Sequence, residues 1–170
     1  MRITAGKFKA KSVQTLKSQE VRPTSSKVRE SIFNILQDRV SGALMLDLFA
    51  GSGIMGLEAL SRGARKVVFI EKNPKVFRLL KTNLSGFDAD SQVFLNDAIK
   101  ALDKLSGEKF DIIFVDPPYA SDLIPEVLRK VKEHRLLADD GMLILEYGSE
   151  YDFNNVINET GFEIVKEKNY

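Results

Sequence analysis

Phe110-Asp-Ile-Ile-Phe-Val-Asp-Pro-Pro-Tyr119 is an apolar run with β-branched residues that stops on two prolines. Residues 110–115 read as a strand buried on both faces. Pro117 and Pro118 cannot donate ladder hydrogen bonds, so the chain must leave the sheet there. Asp116 is thereby set at the carboxyl end of a strand, where open α/β sheets gather their ligands. Tyr119 is offered on the loop that follows. Asp and Pro are also ordinary turn residues, so this stretch alone divides evenly between a site and a turn.

The same alternation of strand and helix extends on both sides. Residues 44–49, 66–71, 92–95 and 142–146 read as strands, and residues 162–166 as a sixth. Helices are expected over 53–62, closed by Gly63, over 74–84 with Pro74 in its first turn, over 98–105, and over 123–134. Repeated βα units predict a mostly parallel, doubly wound sheet with right-handed crossovers. Ahead of it, residues 2–13 read as two short strands around Ala5-Gly6, a hairpin that sets Lys7, Lys9 and Lys11 on one face. A helix then opens at Pro23-Thr24 with Thr24 as N-cap. Val28, Ile32, Ile35 and Leu36 form its apolar face, with Ser26, Lys27, Arg29 and Glu30 on others. Glu58, Ser61 and Arg62 read as helix surface, and His134 as a favourable partner for a helix C-terminus.

Between the first strand and its helix lies Asp47-Leu-Phe-Ala-Gly-Ser-Gly53-Ile-Met-Gly56. Glycines here let backbone approach a ligand, and the helix N-terminus offers free N–H groups. The Gly51-x-Gly53-x-x-Gly56 spacing matches a dinucleotide fingerprint, with Glu71 at the end of the second strand to accept from ribose hydroxyls. This much fits NAD or S-adenosylmethionine, or a tight turn whose glycines serve packing. Asp47 favours S-adenosylmethionine, because a carboxylate there suits a cationic amino acid moiety and would repel a pyrophosphate. Asp97, after the third strand, could accept from an adenine amine or cap the next helix. Asp47, Glu71, Asp97 and Asp116 end four strands, and together they call for a ligand.

With such a cofactor, the stretch from Asp116 to Tyr119 suits methyl transfer to an exocyclic amine on a flat ring. The lone pair of a nucleobase NH2 is delocalised into the ring. Acceptors at its N–H groups, here the Asp116 carboxylate and the Pro117 carbonyl, draw the nitrogen toward an attacking geometry. Tyr119 could stack on a base extruded from structured nucleic acid.

Composition bounds the remaining classes. A chain of 170 residues, 44% hydrophobic and 29% charged, is long enough for one buried core. It has no apolar run that could span a membrane and no signal-peptide core near Met1. With no cysteine, disulfides and thiolate metal sites are excluded and a cytoplasmic home is simplest. No metal is expected. Residues 1–40 carry nine Lys/Arg against three Asp/Glu, and residues 41–170 carry 16 against 21. A basic arm on a mildly acidic body points to a polyanion. Arg22 is either a solvated loop residue or, with Thr24, a border of the site.

Asp47-Leu-Phe-Ala-Gly-Ser-Gly53 with Asp116-Pro-Pro-Tyr119 resembles the class I S-adenosylmethionine-dependent methyltransferases that act on amines. Arg2-Ile-Thr-Ala-Gly6, Val21-Arg-Pro-Thr24, Val28-Arg-Glu30, Phe33-Asn34 and Gly56-Leu-Glu-Ala-Leu-Ser-Arg-Gly63 resemble, more closely, the bacterial 16S ribosomal RNA guanine-N2 methyltransferases of the RsmD type. The resemblance implies a Rossmann-like class I methyltransferase sheet with helices on both faces, spanning residues 41–170. An N-terminal β-hairpin plus helix extension over residues 1–40 would pack on it. It implies cofactor contacts from Asp47, Phe49, Gly51, Gly53, Glu71 and Asp97, and a catalytic stretch of Asp116, Pro117, Pro118 and Tyr119. RNA would meet Lys7, Lys9, Lys11, Arg22 and Thr24. The substrate would be 16S ribosomal RNA in the small subunit or its precursor, and the protein a monomer. Class I methyltransferases usually end with an antiparallel seventh strand. The open edge of a six-stranded sheet argues for a chain whose last strand is missing.

Four rivals are weighed against this. An adenine-N6 DNA methyltransferase shares the Asp-Pro-Pro-Tyr motif but usually adds a target-recognition domain. A protein glutamine methyltransferase normally begins its motif with Asn and needs no basic arm. An NAD-dependent oxidoreductase leaves Asp47 and Asp116 unexplained. A non-catalytic RNA-binding module would show no cofactor affinity.

Overall fold

The computed structural model describes residues 1–15, 25–117, 123–148 and 154–169. In chain order its elements are α1 (Ser26–Leu36), a 3-10 turn (Gln37–Val40), β1 (Leu44–Asp47), α2 (Ile54–Ser61), β2 (Lys66–Glu71), α3 (Pro74–Ser85), β3 (Ser91–Leu95), α4 (Ala98–Lys104), β4 (Phe110–Val115), α5 (Leu123–Glu133), β5 (Leu137–Leu145) and α6 (Asn154–Thr160). The five strands form one sheet in the order β3-β2-β1-β4-β5, and every pairing is parallel. From β1 the chain winds outward to β3 and then returns to β4 on the other side. The direction reverses between β1 and β4, and that reversal opens a crevice above the strand ends.

Alternation along each strand sorts the apolar residues into two cores. Met45, Val67, Phe69, Ile112 and Phe114 pack with Phe33, Leu36, Met55, Leu60 and Leu80 of α1, α2 and α3 on one face. Leu46, Val68, Ile70, Ile113 and Val115 meet Ala101 and Leu102 of α4 and Val127 and Val131 of α5 on the other. Strands buried on both sides carry little polar sequence, which is why the run in residues 110–115 was so legible. This is the parallel, doubly wound sheet expected from the βα repeats and the Rossmann-like architecture that the resemblance implies.

Several expectations need correction. The arm folds back on itself, but through a single antiparallel bridge between Arg2 and Ser12 instead of paired strands. Residues 5–10 are turns. Ile3 and Val13 are buried in the first core, backbone hydrogen bonds join Met1 to Val13 and Ile3 to Lys11, and Lys7 N–H donates to the Ser61 carbonyl at 2.8 Å, so the arm is held both at its ends and at its turn. Helix α1 starts one residue later than expected, capped by Ser25, whose Oγ accepts from the Val28 N–H at 3.2 Å; Arg22 and Thr24 lie outside the described residues. Strand β5 begins at Leu137 and slips register between Phe110 and Ile112 of β4. No strand forms over residues 162–166 among those described, and Ile164 and Val165 are exposed. Phe162 instead packs with α6 and α5, against Val156, Ile124 and Leu128. His134 does follow the last residue of α5, and its Nε2 also lies 2.9 Å from Oδ1 of Asp103 in α4, an oxygen that Lys130 binds at 2.5 Å. Among the described residues no helix is long and apolar enough to cross a membrane.

Candidate active site

Read across the sheet, the strand ends place Asp97 after β3, Glu71 closing β2, Asp47 closing β1 and Asp116 just past β4. The four acids therefore stand in a row, and Asp47 and Asp116 flank the switch point itself. The loop between β1 and α2 leans on both neighbouring strands. Leu48 N–H donates to the Phe114 carbonyl at 3.0 Å, and Ala50 N–H to the Ile70 carbonyl at 2.9 Å. Glu71 then braces the loop: its Oε2 accepts from Gly51 N–H at 3.0 Å and its Oε1 from Asn73 N–H at 2.7 Å. Asn73 in turn caps α3, with Pro74 in the first turn as expected.

Two glycines of this loop have separate jobs. Gly51 sits at φ +53 with open space where a Cβ would be, so the backbone there faces the crevice unscreened. Gly56 is needed for packing, since a Cβ would lie 2.2 Å from the Phe69 ring. The packing reading of the motif therefore holds at Gly56, while Gly51 leaves room for a ligand.

Asp47 is the electrostatic centre of the site. It is 1% exposed and its Oδ2 accepts from Gly56 N–H at 3.1 Å. Burial, with Asp116 and Glu71 as neighbouring anions, pushes its carboxyl up from 3.8 to about 7 despite that hydrogen bond. A buried acid beside two other anions would be stabilised by a cationic ligand. S-adenosylmethionine, with an ammonium and a sulfonium, fits that need, and a pyrophosphate does not.

The other residues expected in the site are distributed as follows. Phe49 is partly buried against the second core. Asp97 caps α4, its Oδ1 accepting from Ile99 N–H at 3.1 Å and Lys100 N–H at 3.3 Å. The helix-cap reading therefore holds, through one carboxylate oxygen. Asp116 and Pro117 are half-buried at the crevice, whereas Pro118 and Tyr119 lie outside the described residues. Lys9 is exposed; Lys7 and Lys11 are engaged by the chain itself, Lys7 Nζ donating to the Asp88 carbonyl at 3.0 Å and Lys11 Nζ to the Gly86 carbonyl.

Two groups of residues escaped the sequence reading. Glu58, taken as surface, is fully buried, and so is Arg29. Glu58 Oε2 accepts from Arg29 Nε at 3.1 Å, and Oε1 from Arg62 Nε at 3.0 Å and Thr4 Oγ1 at 2.6 Å. Burial alone would raise the Glu58 carboxyl, but the bonds from Thr4 and Arg62 hold it below 4.5. Arg29 also donates to the Arg2 carbonyl at 2.8 Å, and Ser61 Oγ to the Ala5 carbonyl at 2.5 Å. Three of the stretches that carried the resemblance, around Arg2–Gly6, Arg29 and Glu58–Arg62, are parts of this one network. The second is Asn83 of α3, nearly buried. Its Nδ2 donates to the Ser52 carbonyl at 2.8 Å and the Gln14 carbonyl at 2.9 Å, and its Oδ1 accepts from Gln14 N–H at 3.0 Å. The amide ties the arm to the glycine loop. A signal existed: Asn83 follows Val76 and Leu80 at helical spacing, so a polar residue occupied the apolar stripe.

A family model described as Conserved hypothetical protein 95 matches residues 1–170. The chain is similar to the ribosomal RNA small subunit methyltransferase D of Escherichia coli K12, with 34% identity covering 86% of this chain and 74% of that one. It is 33% identical to the protein of that name from Haemophilus influenzae, covering 99% of this chain and 88% of the other. Among solved structures, the Thermus thermophilus 16S rRNA N2 G1207 methyltransferase, in complex with AdoMet and guanosine, superposes with a TM-score of 0.70. It covers 90% of this chain and 41% of that one at 22% identity, a likeness of fold.

Proposed function

The chain belongs to the Conserved hypothetical protein 95 family and is an S-adenosylmethionine-dependent methyltransferase of ribosomal RNA; from that premise we propose that it methylates the exocyclic N2 of a guanine in 16S ribosomal RNA of the small subunit. The observation that carries this reading is the row of strand-end carboxylates, with the buried Asp47 beside Glu71 and Asp116. Asp47 and the Gly51–Gly53 backbone would hold the amino acid part of the cofactor, Glu71 the ribose and Asp97 the adenine amine, with Phe49 alongside. Bound there, the cofactor supplies an electrophilic methyl group on a sulfonium.

The chain's own residues do the rest. The Asp116 carboxylate and Pro117 carbonyl accept the two N–H groups of the guanine amine and turn its lone pair toward the crevice. Pro118 belongs to the same catalytic stretch, and Tyr119 would stack on the extruded base. Positioning and exclusion of water supply most of the acceleration. So held, the amine nitrogen would accept the methyl group that the cofactor supplies. The methylated, cationic amine is acidic enough to lose its proton without a strong base. Residues 1–40 serve as the RNA-facing extension, through Lys7, Lys9, Lys11, Arg22 and Thr24. We take the enzyme to work as a cytoplasmic monomer without a metal.

Radiolabelled S-adenosylmethionine, incubated with small ribosomal subunits lacking the modification, tests the reading, with naked rRNA and DNA in parallel. Label recovered from the subunits as N2-methylguanosine is expected. Label only in DNA or protein favours a different methyltransferase, and no cofactor binding overturns the assignment.

A further inference from the structure

Within the acidic body of this protein, α3 and the residues that lead into it stand out. Residues 72–87 hold four basic residues, Lys72, Lys75, Arg78 and Lys81, and no Asp or Glu. The rest of residues 41–170 then carries 12 Lys/Arg against 21 Asp/Glu. The four cations fall on and just before α3, and all four are exposed. An ordinary solvated helix face mixes both signs, as α5 does with Glu126, Arg129, Lys130, Lys132 and Glu133. Helix α3 carries one sign only.

Its placement gives that asymmetry a direction. Helix α3 starts beside Glu71, at the rim of the cofactor crevice, and runs about 18 Å away from it. At its far end the arm is waiting. Lys11 Nζ donates to the Gly86 carbonyl and lies 4.5 Å from the centre of the Phe87 ring. Lys7 Nζ donates to the Asp88 carbonyl and lies 4.5 Å from the Phe8 ring. The two rings meet edge to face at 5.0 Å. The arm lysines are therefore fixed against the end of α3, each with N–H donors to spare. Asn83 binds this block to the glycine loop through Ser52 and Gln14. Arm, helix and cofactor loop form one connected unit with a cationic outer face.

We infer that the exposed face of α3, Lys72, Lys75, Arg78 and Lys81, is a docking surface for the ribose-phosphate backbone of the substrate RNA. It joins the arm lysines Lys7 and Lys11 to the mouth of the active site. The inference rests on the RNA methyltransferase reading and extends it to a part of the chain outside the N-terminal extension. Such a face positions RNA without reading its sequence, because phosphates carry no base identity. It acts by releasing counterions, so its signature is salt dependence.

The test uses a variant with Lys75→Ala, Arg78→Ala and Lys81→Ala, since alanine preserves the helix. Methylation of unmodified small subunits is followed at several salt concentrations, and cofactor affinity is measured separately. KM for the subunit is expected to rise about 10-fold, and the slope of log affinity against log salt to flatten by about 2, as for three lost phosphate contacts. Turnover at saturating subunits and cofactor affinity stay at wild-type values. The same changes in a Lys75→Gln, Arg78→Gln, Lys81→Gln variant would support the surface even if the alanine variant failed to fold. A paired control, Lys100→Ala with Lys104→Ala, removes exposed cations from α4 on the opposite face of the sheet and is expected to change neither quantity. Wild-type KM and slope in the α3 variants, or equal effects in the α4 control, would overturn the inference. Failure of the wild type to methylate any RNA, while it binds RNA with a slope that the α3 variant loses, would defeat the enzymatic reading alone.

Discussion

Replacing Asp47 by Asn should make the cofactor-free protein more stable and useless at the same time. The carboxyl is raised from 3.8 to about 7, chiefly by burial and then by Asp116 and Glu71. One pKa unit is worth ~1.4 kcal/mol, so an ionised Asp47 costs the folded state about 4 kcal/mol. The sign follows from the direction of the shift. Between pH 4 and 7 the folded protein keeps a proton that the unfolded chain has released, so stability falls as pH rises through that window. Above pH 7 the whole penalty is present. Asparagine keeps an acceptor for the Gly56 N–H and removes the charge. In a domain of this size, a Tm gain of about 10 °C is expected at pH 8, vanishing toward pH 4. Calorimetry of the apo proteins across pH measures it. Adding S-adenosylmethionine should then raise the wild-type Tm by binding linkage and leave the variant where it was. Equal melting temperatures at pH 8, or a gap that widens toward acid, would refute the account of Asp47 as a buried anion awaiting a cation.

Asp116→Ala should lower turnover by at least about 100-fold through lost orientation of the amine, with cofactor affinity near wild type in equilibrium binding. Equal loss of both would count against its role. Glu58→Gln leaves the guanidinium of Arg29 buried without its counter-charge and should cost about 3–5 kcal/mol, read as a lower denaturant midpoint. In the wild type, the contribution of Glu58 is present at neutral pH and fades as pH falls below 4.5, because its carboxyl is held low in the fold. Asn83→Ala strands the Ser52 and Gln14 backbone groups; a stability loss of about 1–3 kcal/mol is expected, together with weaker cofactor binding measured by titration calorimetry. Unchanged cofactor affinity would show that the clamp serves the arm alone.

Much of the fold could be read before any coordinates, for local reasons. Strands β2 and β4 were bounded to the residue, because a parallel strand covered on both faces has an apolar centre, which charged residues bracket in β2 and which Pro117 and Pro118 end after β4. The helix starts at Asn73-Pro74 and Asp97 follow from capping, a contact between neighbours in sequence. Strand β5 was placed too late because Asp139, Asp140 and Gly141 break its pattern. Helix α6 went unseen because its few apolar residues acquire meaning only against Ile124 and Leu128.

By itself the sequence determined the βα rhythm, the glycine loop and four strand-end acids, since each depends on spacing along one strand or turn. The tertiary structure alone decided that these acids stand side by side, that Asp47 is buried deeply enough to hold a proton near neutrality, and that Arg29 and Glu58 are core residues. It also decided that the arm, α3 and the glycine loop meet at Asn83. These are facts of pairing between distant segments, and charge in a sequence has no burial until such segments close over it.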